Sequence, residues 1–170
     1  MSVEYPAGLL LAKQLVYDKC GFTFADAVPQ KESSEYDAYT FQLNNINILF
    51  RSAKITPAKT GQFVTLWKRN GKGPIMPFDA ADVIEIIVIN TKTENRFGQF
   101  VFPKSVLIKH SVFAAHGKDG KRAIRVYPSW DKTESTQAIK TQKWQLEYFL
   151  EINQDKQLLD EARVKMLYKL

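Results

Sequence analysis

The start of the chain has hydrophobic positions at helical spacing, and this period then disappears. Residues 6–20 place leucine, valine and tyrosine side chains on one stripe, with Pro6 suited to a first turn and Gly21 just beyond the last. Residues 22–34 combine proline, serine and charged side chains without a period. We therefore predict an amphipathic helix over 6–20, followed by a surface connection over 22–34.

Further along the chain the hydrophobic period changes to two, which is typical of half-buried strands. The first two predicted strands, 39–43 and 46–51, are separated by Asn44 and Asn45, and asparagine tolerates the positive φ angles of a tight hairpin turn. The run over 82–89 is the most apolar in the protein and is predicted to be a central strand. The other predicted strands are 62–68, 97–103 and 122–127.

The C-terminal part of the chain returns to helical spacing. Residues from Ser135 to Leu150 carry hydrophobic side chains on one helical face, and residues 155–169 show a second such pattern. Pro103 also suits the first turn of a short helix. The order of elements predicts an α+β fold, in which a central mostly antiparallel or mixed sheet of about five to six strands is flanked by N- and C-terminal helices. With no long linker in 170 residues, we expect a single domain over 1–170.

The positive charge of the chain is concentrated in one stretch. The formal net charge is +6, and residues 51–72 contain six basic side chains and no acid. Because an uncompensated basic face is the electrostatic footprint of a phosphate-bearing partner, we expect this stretch to face an anionic ligand. A solvated basic surface without a ligand is the plain alternative. The six residues are Arg51, Lys54, Lys59, Lys68, Arg69 and Lys72.

Composition and motifs exclude several classes of protein. No apolar run reaches the roughly 18 residues of a membrane span, and the single cysteine, Cys20, excludes an intrachain disulfide and a thiolate zinc cluster. The sequence contains no P-loop and no GxGxxG motif, and His110 and His116 have no nucleophile or acid at a telling spacing. We expect a cytoplasmic protein without a membrane partner.

Cations on or between adjacent predicted strands are the candidate phosphate partners. Gathered at one end of a sheet, they suit the backbone of a nucleic acid or the phosphate of a nucleotide. For Arg51 and Lys54 the alternative is a structural salt bridge to Glu35 or Asp37. The predicted phosphate partners are Arg51, Lys54, Lys59 and Lys68, and the residues that would extend the same surface are Arg125, Lys121 and Lys143.

Aromatic and amide side chains in the same region are the candidate base partners. Trp67 and Trp130 offer flat faces for base stacking, and Gln62 offers a hydrogen bond to a base edge. Core packing is the alternative for Trp67. Trp130 follows a proline turn and is predicted to be exposed.

A metal-dependent nuclease is a second hypothesis, because the predicted α+β core resembles restriction-endonuclease-like domains. Such enzymes hold Mg²⁺ with clustered carboxylates and use a lysine to stabilise the transition-state charge. Their acid-x-Lys strand signature is missing, since the one such spacing, Asp119 to Lys121, lies in a glycine turn. The available carboxylates are Glu35, Asp37, Asp79 and Asp82, and the cation would be Lys54 or Lys68.

Five segments in fixed order carry a resemblance to a known family: 51–69, 73–79, 100–104, 120–130 and 140–149. Together they resemble the MepB family, and the match spans about residues 32–150. The family consists of small bacterial proteins named for a gene beside a multidrug efflux pump and its repressor. The resemblance implies a bacterial cytosolic protein, and it carries no defined biochemical activity over to this chain.

Three hypotheses about function follow from the sequence. The first is binding of nucleic acid or a nucleotide through the basic and aromatic face at 51–69, without a cofactor. The second is a nuclease-like phosphodiesterase, which would need Mg²⁺. The third is a protein-interaction module with an acidic partner. Metal ligands are assigned only under the second hypothesis.

Overall fold

The computed structural model describes residues 4–153 and 159–169, and its largest element is a six-stranded sheet. None of the helices in these residues combines the length and the apolar character that crossing a membrane requires. The strands are β1 (Phe24–Pro29), β2 (Tyr39–Leu43), β3 (Ile46–Ser52), β4 (Lys54–Ile55), β5 (Gln62–Thr65), β6 (Trp67–Arg69), β7 (Ile75–Pro77), β8 (Ile86–Lys92), β9 (Phe97–Pro103), β10 (Ala123–Val126) and β11 (Phe149–Ile152). The α-helices are α1 (Ala7–Ala12), which continues as a π-helical turn (Lys13–Tyr17), α2 (Lys104–Lys109), α3 (Thr136–Gln145) and α4 (Glu161–Tyr168).

The main sheet is mixed, with the strand order β1-β2-β3-β8-β9-β11. Every neighbouring pair is antiparallel except β3 with β8. β2 and β3 form the predicted hairpin, and its turn residues Asn44 and Asn45 have φ angles of 47° and 67°. The predicted α+β fold with a mixed sheet of six strands is confirmed.

The parallel pairing of β3 with β8 explains where the basic stretch lies. Parallel neighbours cannot be joined by a tight turn, so the chain must cross from one end of the sheet to the other. Residues 53–85 make this crossover and form small sheets on the way: β4 and β5 join the later strand β10, and β6 pairs with β7. Most of the predicted basic face is therefore carried by a second layer.

Both faces of the main sheet are buried. On one face α1 and α4 pack over side chains such as Phe50 and Val88. On the other face the small sheets, α2 and α3 pack over Leu49, Ile87 and Phe102. Successive residues of β8 point to opposite faces, so both sets must be apolar, and this explains the continuous hydrophobic run.

The predicted surface connection over 22–34 is wrong, because residues Phe24–Pro29 form β1 at one edge of the main sheet. Its pairing with β2 shifts register between Ala25 and Val28, and Asp26 has a φ angle of 55°. A bulge of this kind breaks the alternation of hydrophobic residues. The strand therefore shows no period of two in the sequence.

The predicted helix from Ser135 to Leu150 is correct only in its first part. The Ser135 hydroxyl caps α3, but the helix ends at Gln145. Leu150 lies in β11, where it is paired with Gln99 of β9. An unpaired edge of β9 would leave backbone donors and acceptors unsatisfied, and the strand pairing of 149–152 satisfies them.

Three other predicted elements keep their type and change their bounds. The strand over 82–89 begins later, as β8, and the strand over 62–68 is divided at Leu66 into β5 and β6. The helix over 155–169 is observed as α4, and residues 155–158 of that prediction lie outside the described residues.

Candidate nucleic-acid interface

Three side chains from three adjacent strands stand in register on the outer face of the small β4-β5-β10 sheet. Lys54 is paired with Phe63, and Phe63 is paired with Arg125. Side chains at one register position share a face. The neighbouring residues Val64 and Ile124 point the other way, into the core. This face is therefore the side of the small sheet that is not packed on the main sheet.

Two adjacent aromatic rings lie between two cations along this face, and we call the four side chains the cation–aromatic row, in the order Arg125, Phe63, Tyr36 and Lys54. The Arg125 guanidinium lies 5.8 Å from the centre of the Phe63 ring, and the Lys54 ammonium lies 4.8 Å from the centre of the Tyr36 ring. The Phe63 and Tyr36 rings meet edge to face, with their centres 6.2 Å apart. Tyr36 comes from the 3₁₀ turn Ser34–Tyr36.

The cations of the row have no carboxylate partner in the part of the chain that the structure describes. Arg125 donates to the Thr56 hydroxyl at 2.7 Å and to the Thr60 carbonyl at 3.3 Å, so its side chain is held in place while its charge stays uncompensated. Lys54 is exposed, and Lys59 is exposed in the turn before β5. The predicted salt bridge from Lys54 to Glu35 or Asp37 is not formed.

Arg51 and Gln62, two predicted ligand contacts, lie inside the protein. The Arg51 side chain is fully buried and donates to the carbonyls of Thr65 at 3.2 Å and Phe50 at 2.9 Å. Burial lowers the pKa of Arg51 to about 10. Gln62 is also buried and donates to the Lys92 carbonyl at 3.3 Å. Both side chains therefore connect the two layers, and neither is part of the row.

Trp67 and Lys68 lie on β6 and are held by acidic residues. The Trp67 indole donates to the Glu32 carboxylate at 2.9 Å, and hydrogen bonds from Trp67 and Arg69 lower the pKa of Glu32. Lys68 donates to Asp79 at 2.9 Å. These partners occupy the Lys68 ammonium, which the sequence suggests as a phosphate contact, and the indole nitrogen of Trp67, whose ring face the sequence suggests for base stacking.

Trp130 is half-buried, where the sequence predicts exposure. Its ring packs edge-on against Phe149, with the ring centres 5.7 Å apart, and the Arg96 guanidinium lies 4.9 Å from the ring centre. The indole nitrogen is buried and has no hydrogen-bond partner in the described residues. Trp130 therefore belongs to the packing around β11.

Two carboxylates and a lysine do converge, at residues that only partly match the nuclease prediction. The Lys68 ammonium donates to Asp79 at 2.9 Å and to Asp82 at 2.8 Å, and the hydrogen bond from Lys68 lowers the pKa of Asp79. Lys54 lies over Tyr36 instead, and Glu35 is exposed. No group of three or more His, Cys, Asp or Glu side chains in residues 4–153 and 159–169 could hold a metal ion.

The two rings of the row are residues that sequence reasoning missed. Tyr36 precedes the basic stretch, and Phe63 follows the hydrophobic alternation of its strand. One sequence signal could have identified Phe63 as a site residue: in the predicted strand 62–68 it shares a face with Trp67. The alignment with Arg125 depends on pairing between strands 58 or more positions apart in sequence, which no local pattern reveals.

A cleft of about 390 Å³ adjoins the row at Arg125, and we call it the α3 cleft. It runs between β10 and α3, and the His110 and Trp144 rings lie at it. These two rings are stacked, with centres 3.9 Å apart and an angle of 6° between their planes. Burial, together with the neighbouring Lys109, lowers the pKa of His110.

The fold and this face define an α+β protein in which a mixed six-stranded sheet supports a small basic and aromatic sheet. Residues 30–151 match the model of the MepB-like family. The chain therefore belongs to the MepB-like family, as the resemblance predicts.

One solved structure supports the same relationship. The crystal structure of MepB is similar, with 30% sequence identity, a TM-score of 0.76, and coverage of 89% of this chain and 100% of that one. A bacterial homing endonuclease is also similar, with 16% identity, a TM-score of 0.44, and coverage of 84% of this chain and 94% of that one. The comparison with curated proteins finds no match.

Proposed function

We propose that this protein binds single-stranded nucleic acid through the cation–aromatic row. The observation that supports the proposal is the placement of the adjacent Phe63 and Tyr36 rings between Arg125 and Lys54 on one open face, without a carboxylate partner for either cation in the described residues. Single strands are bound by cations that follow the phosphates and by rings on which bases stack. Every base has a flat face, so this arrangement predicts little sequence preference.

The dimensions of the row suit a short stretch of strand. Adjacent strands of a sheet lie about 4.8 Å apart, so the distance from β10 to β4 is roughly 10 Å. Arg125 is fixed by two hydrogen bonds before any ligand arrives, which reduces the entropy lost on binding. Lys59, exposed in the adjoining turn, adds a third positive charge close to Arg125.

The charge of the row is tested by the double variant Lys54→Gln, Arg125→Gln. We expect its affinity for a short single-stranded oligonucleotide to fall by about tenfold or more at low salt, because two phosphate contacts are lost. The slope of log affinity against log salt should decrease in magnitude by about 1.4, since each phosphate contact on a single strand contributes about 0.7. Fluorescence anisotropy at several salt concentrations measures both quantities.

The matched control is the double variant Lys165→Gln, Lys169→Gln, because Lys165 on α4 and Lys169 at its C-terminal end are exposed at the opposite face of the main sheet. This variant removes a similar charge and should keep the affinity and the salt slope of the parent protein. Equal losses in both variants would show that net charge alone drives binding. Absence of any salt-dependent binding by the parent protein would refute the proposal.

The rings of the row are tested by Tyr36→Leu. Stacking of one base on an aromatic ring contributes about 1–3 kcal/mol, so we expect roughly a tenfold loss of affinity that persists at high salt. Tyr36 is half-buried, and leucine keeps an apolar contact with Phe63. Anisotropy at high salt separates this effect from that of the charges, and an unchanged affinity there would remove the rings from the proposed mode of binding.

Metal-dependent cleavage of the strand is the second candidate function, favoured by the convergence of Lys68 with Asp79 and Asp82. A gel of the binding samples with Mg²⁺ tests it, together with the variants Asp79→Asn and Glu35→Ala. Cleavage that requires Mg²⁺ and disappears in Asp79→Asn would establish this function. Intact oligonucleotide in every lane is the result expected for binding alone.

A further inference from the structure

The α3 cleft has the size and the charge of a site for a small anion. Its volume of about 390 Å³ lies in the range of small-molecule sites, roughly 300–1,000 Å³. The residues that line it include Lys121 and Arg125 and no acidic residue. Neither cation has a carboxylate partner in the described residues, so a negatively charged ligand would meet no repulsion from the walls.

The lining of the cleft includes a flat aromatic surface. His110 is stacked on Trp144, and Trp144 also contacts Phe102, at 5.4 Å between ring centres. The imidazole forms no side-chain hydrogen bond within the described chain and is half-exposed. Its outer face and its ring nitrogens are therefore available to a ligand that is itself flat and polar.

The floor of the cleft contains an open strand edge. The Leu66 amide donates to the Arg122 carbonyl, and hydrogen-bonded positions of an antiparallel pair alternate along each strand. The backbone groups of Ala123 and Arg125 consequently face away from β5, toward α3. The buried Gln145 amide confirms this direction, because it accepts from the Tyr127 amide at 2.9 Å and donates to the Arg125 carbonyl at 3.0 Å.

Gln145 forms hydrogen bonds with the backbone at the Arg125–Tyr127 end of this strand edge. The backbone groups toward Ala123 face the cleft. The N–H of Arg125 and the carbonyl of Ala123 lie on the same side of β10, and both residues line the cleft. They offer one donor and one acceptor at the edge of a flat ligand. Thr141 and Gln137, which line the cleft from α3, add side-chain hydrogen-bonding groups.

We propose that the α3 cleft is a second binding site, which takes one nucleotide with its heterocycle beside His110 and Trp144 and its phosphate toward Lys121 and Arg125. This inference deepens the proposed function, since Arg125 belongs both to the row and to the cleft. The nucleotide has two sources: a free mononucleotide, or one nucleotide of the strand that lies on the row.

Titration calorimetry of the full chain with AMP, ribose 5-phosphate and inorganic phosphate tests the site. AMP should bind at least about tenfold more tightly than ribose 5-phosphate, because only AMP carries a ring that stacks. Gln137→Trp places a bulky ring in the cleft from an exposed position of α3 and should abolish AMP binding. Ile139→Trp is the matched control, since Ile139 is exposed on the same helix and does not line the cleft. Lys121→Gln should weaken AMP binding severalfold without filling the cleft.

Oligonucleotide anisotropy on the same variants distinguishes the two sources. Loss of oligonucleotide affinity in Gln137→Trp, without measurable AMP binding by the parent protein, assigns the cleft to a nucleotide of the strand. AMP binding that Gln137→Trp abolishes, with unchanged oligonucleotide affinity, assigns it to a free nucleotide. The inference is overturned if AMP binds measurably but no better than ribose 5-phosphate, if Gln137→Trp retains AMP binding, or if neither ligand responds to that variant. In each of these cases the effect of Lys54→Gln alone, at a residue that does not line the cleft, still decides the function of the row separately.

Discussion

Gly120→Ala is expected to lower the free energy of unfolding by about 3 kcal/mol, because a methyl group at this position collides with backbone. A Cβ atom on Gly120 would lie 2.5 Å from the Val112 oxygen, 2.7 Å from the Ala114 nitrogen and 3.0 Å from the Phe113 carbonyl carbon. No side-chain rotation relieves these contacts. The backbone of one segment must move instead.

The segments on both sides of Gly120 are fixed in place. The Lys121 amide donates to the Val112 carbonyl at 2.8 Å, and the Ala114 amide donates to the Phe78 carbonyl at 2.9 Å. Val112 and Phe113 are buried in the core that faces the small sheets. A shift of either segment therefore breaks hydrogen bonds or disturbs packing, and both changes reduce stability.

Urea unfolding followed by circular dichroism measures this effect, with Gly117→Ala as the control. Gly117 has a φ angle of 76°, and a Cβ atom there would meet nothing within 4 Å. Alanine at this position should therefore lower the free energy of unfolding by only about 1–2 kcal/mol, which is the cost of a left-handed backbone for a residue with a Cβ atom. Close approach of the backbone is not the cause if Gly120→Ala is no more destabilising than Gly117→Ala. If the free energy of unfolding falls with urea concentration at the same slope as in the parent protein, both variants unfold cooperatively.

Elements with a local chemical signal are the ones that the sequence predicted correctly. Asn44 and Asn45 identify the hairpin, Pro103 immediately precedes α2, and the Ser135 hydroxyl caps α3 by accepting from the Ala138 amide at 3.1 Å. Each signal acts within a few residues of the element that it specifies. β1 and β11 were missed because a bulge and a distant strand edge determine them.

The sequence predicted the candidate site only as a basic stretch of the chain. Whether each cation is paired, buried or exposed depends on residues that are distant in sequence. Arg69 is paired with Glu32, which lies 37 positions earlier, and Lys68 is paired with Asp79 and Asp82. The Arg51 side chain lies on the face of β3 that the second layer covers, and it is fully buried. Lys54 stays uncompensated because β4 is the outer strand of the small sheet. The sequence shows six cations, and only the pairing of the strands shows which of them face solvent.

We expect a buried pair of tyrosines to make the fold sensitive to alkaline pH. The hydroxyls of Tyr17 and Tyr168 lie 3.0 Å apart, and Tyr168 donates to the Gln99 side chain at 2.8 Å. Gln99 in turn donates to Asn90 at 2.8 Å. Both tyrosines are fully buried, and this burial raises the pKa of each phenol above its ordinary value of 10.

The sign of the pH dependence follows from where the protons are held. In the unfolded chain both phenols release their protons near pH 10, whereas the folded protein retains them. Above that pH the folded state binds more protons than the unfolded state, so stability falls as pH rises and is fully present below pH 10. Each retained proton contributes about 1.4 kcal/mol per pH unit, which gives about 2.7 kcal/mol per unit for the pair.

Tyr17→Phe should therefore halve the alkaline loss of stability, to about 1.4 kcal/mol per pH unit, since Tyr168 keeps its hydrogen bond to Gln99. Removing one buried hydrogen bond costs about 1 kcal/mol near neutral pH, so the variant should start less stable and decline more slowly. Urea unfolding between pH 9 and 11 measures both effects. Phenolate absorbance provides an independent test: of the seven tyrosines, two should ionise only when the protein unfolds. Ionisation of all seven in the folded protein, or an unchanged slope in Tyr17→Phe, would show that the buried pair is not the source of the pH dependence.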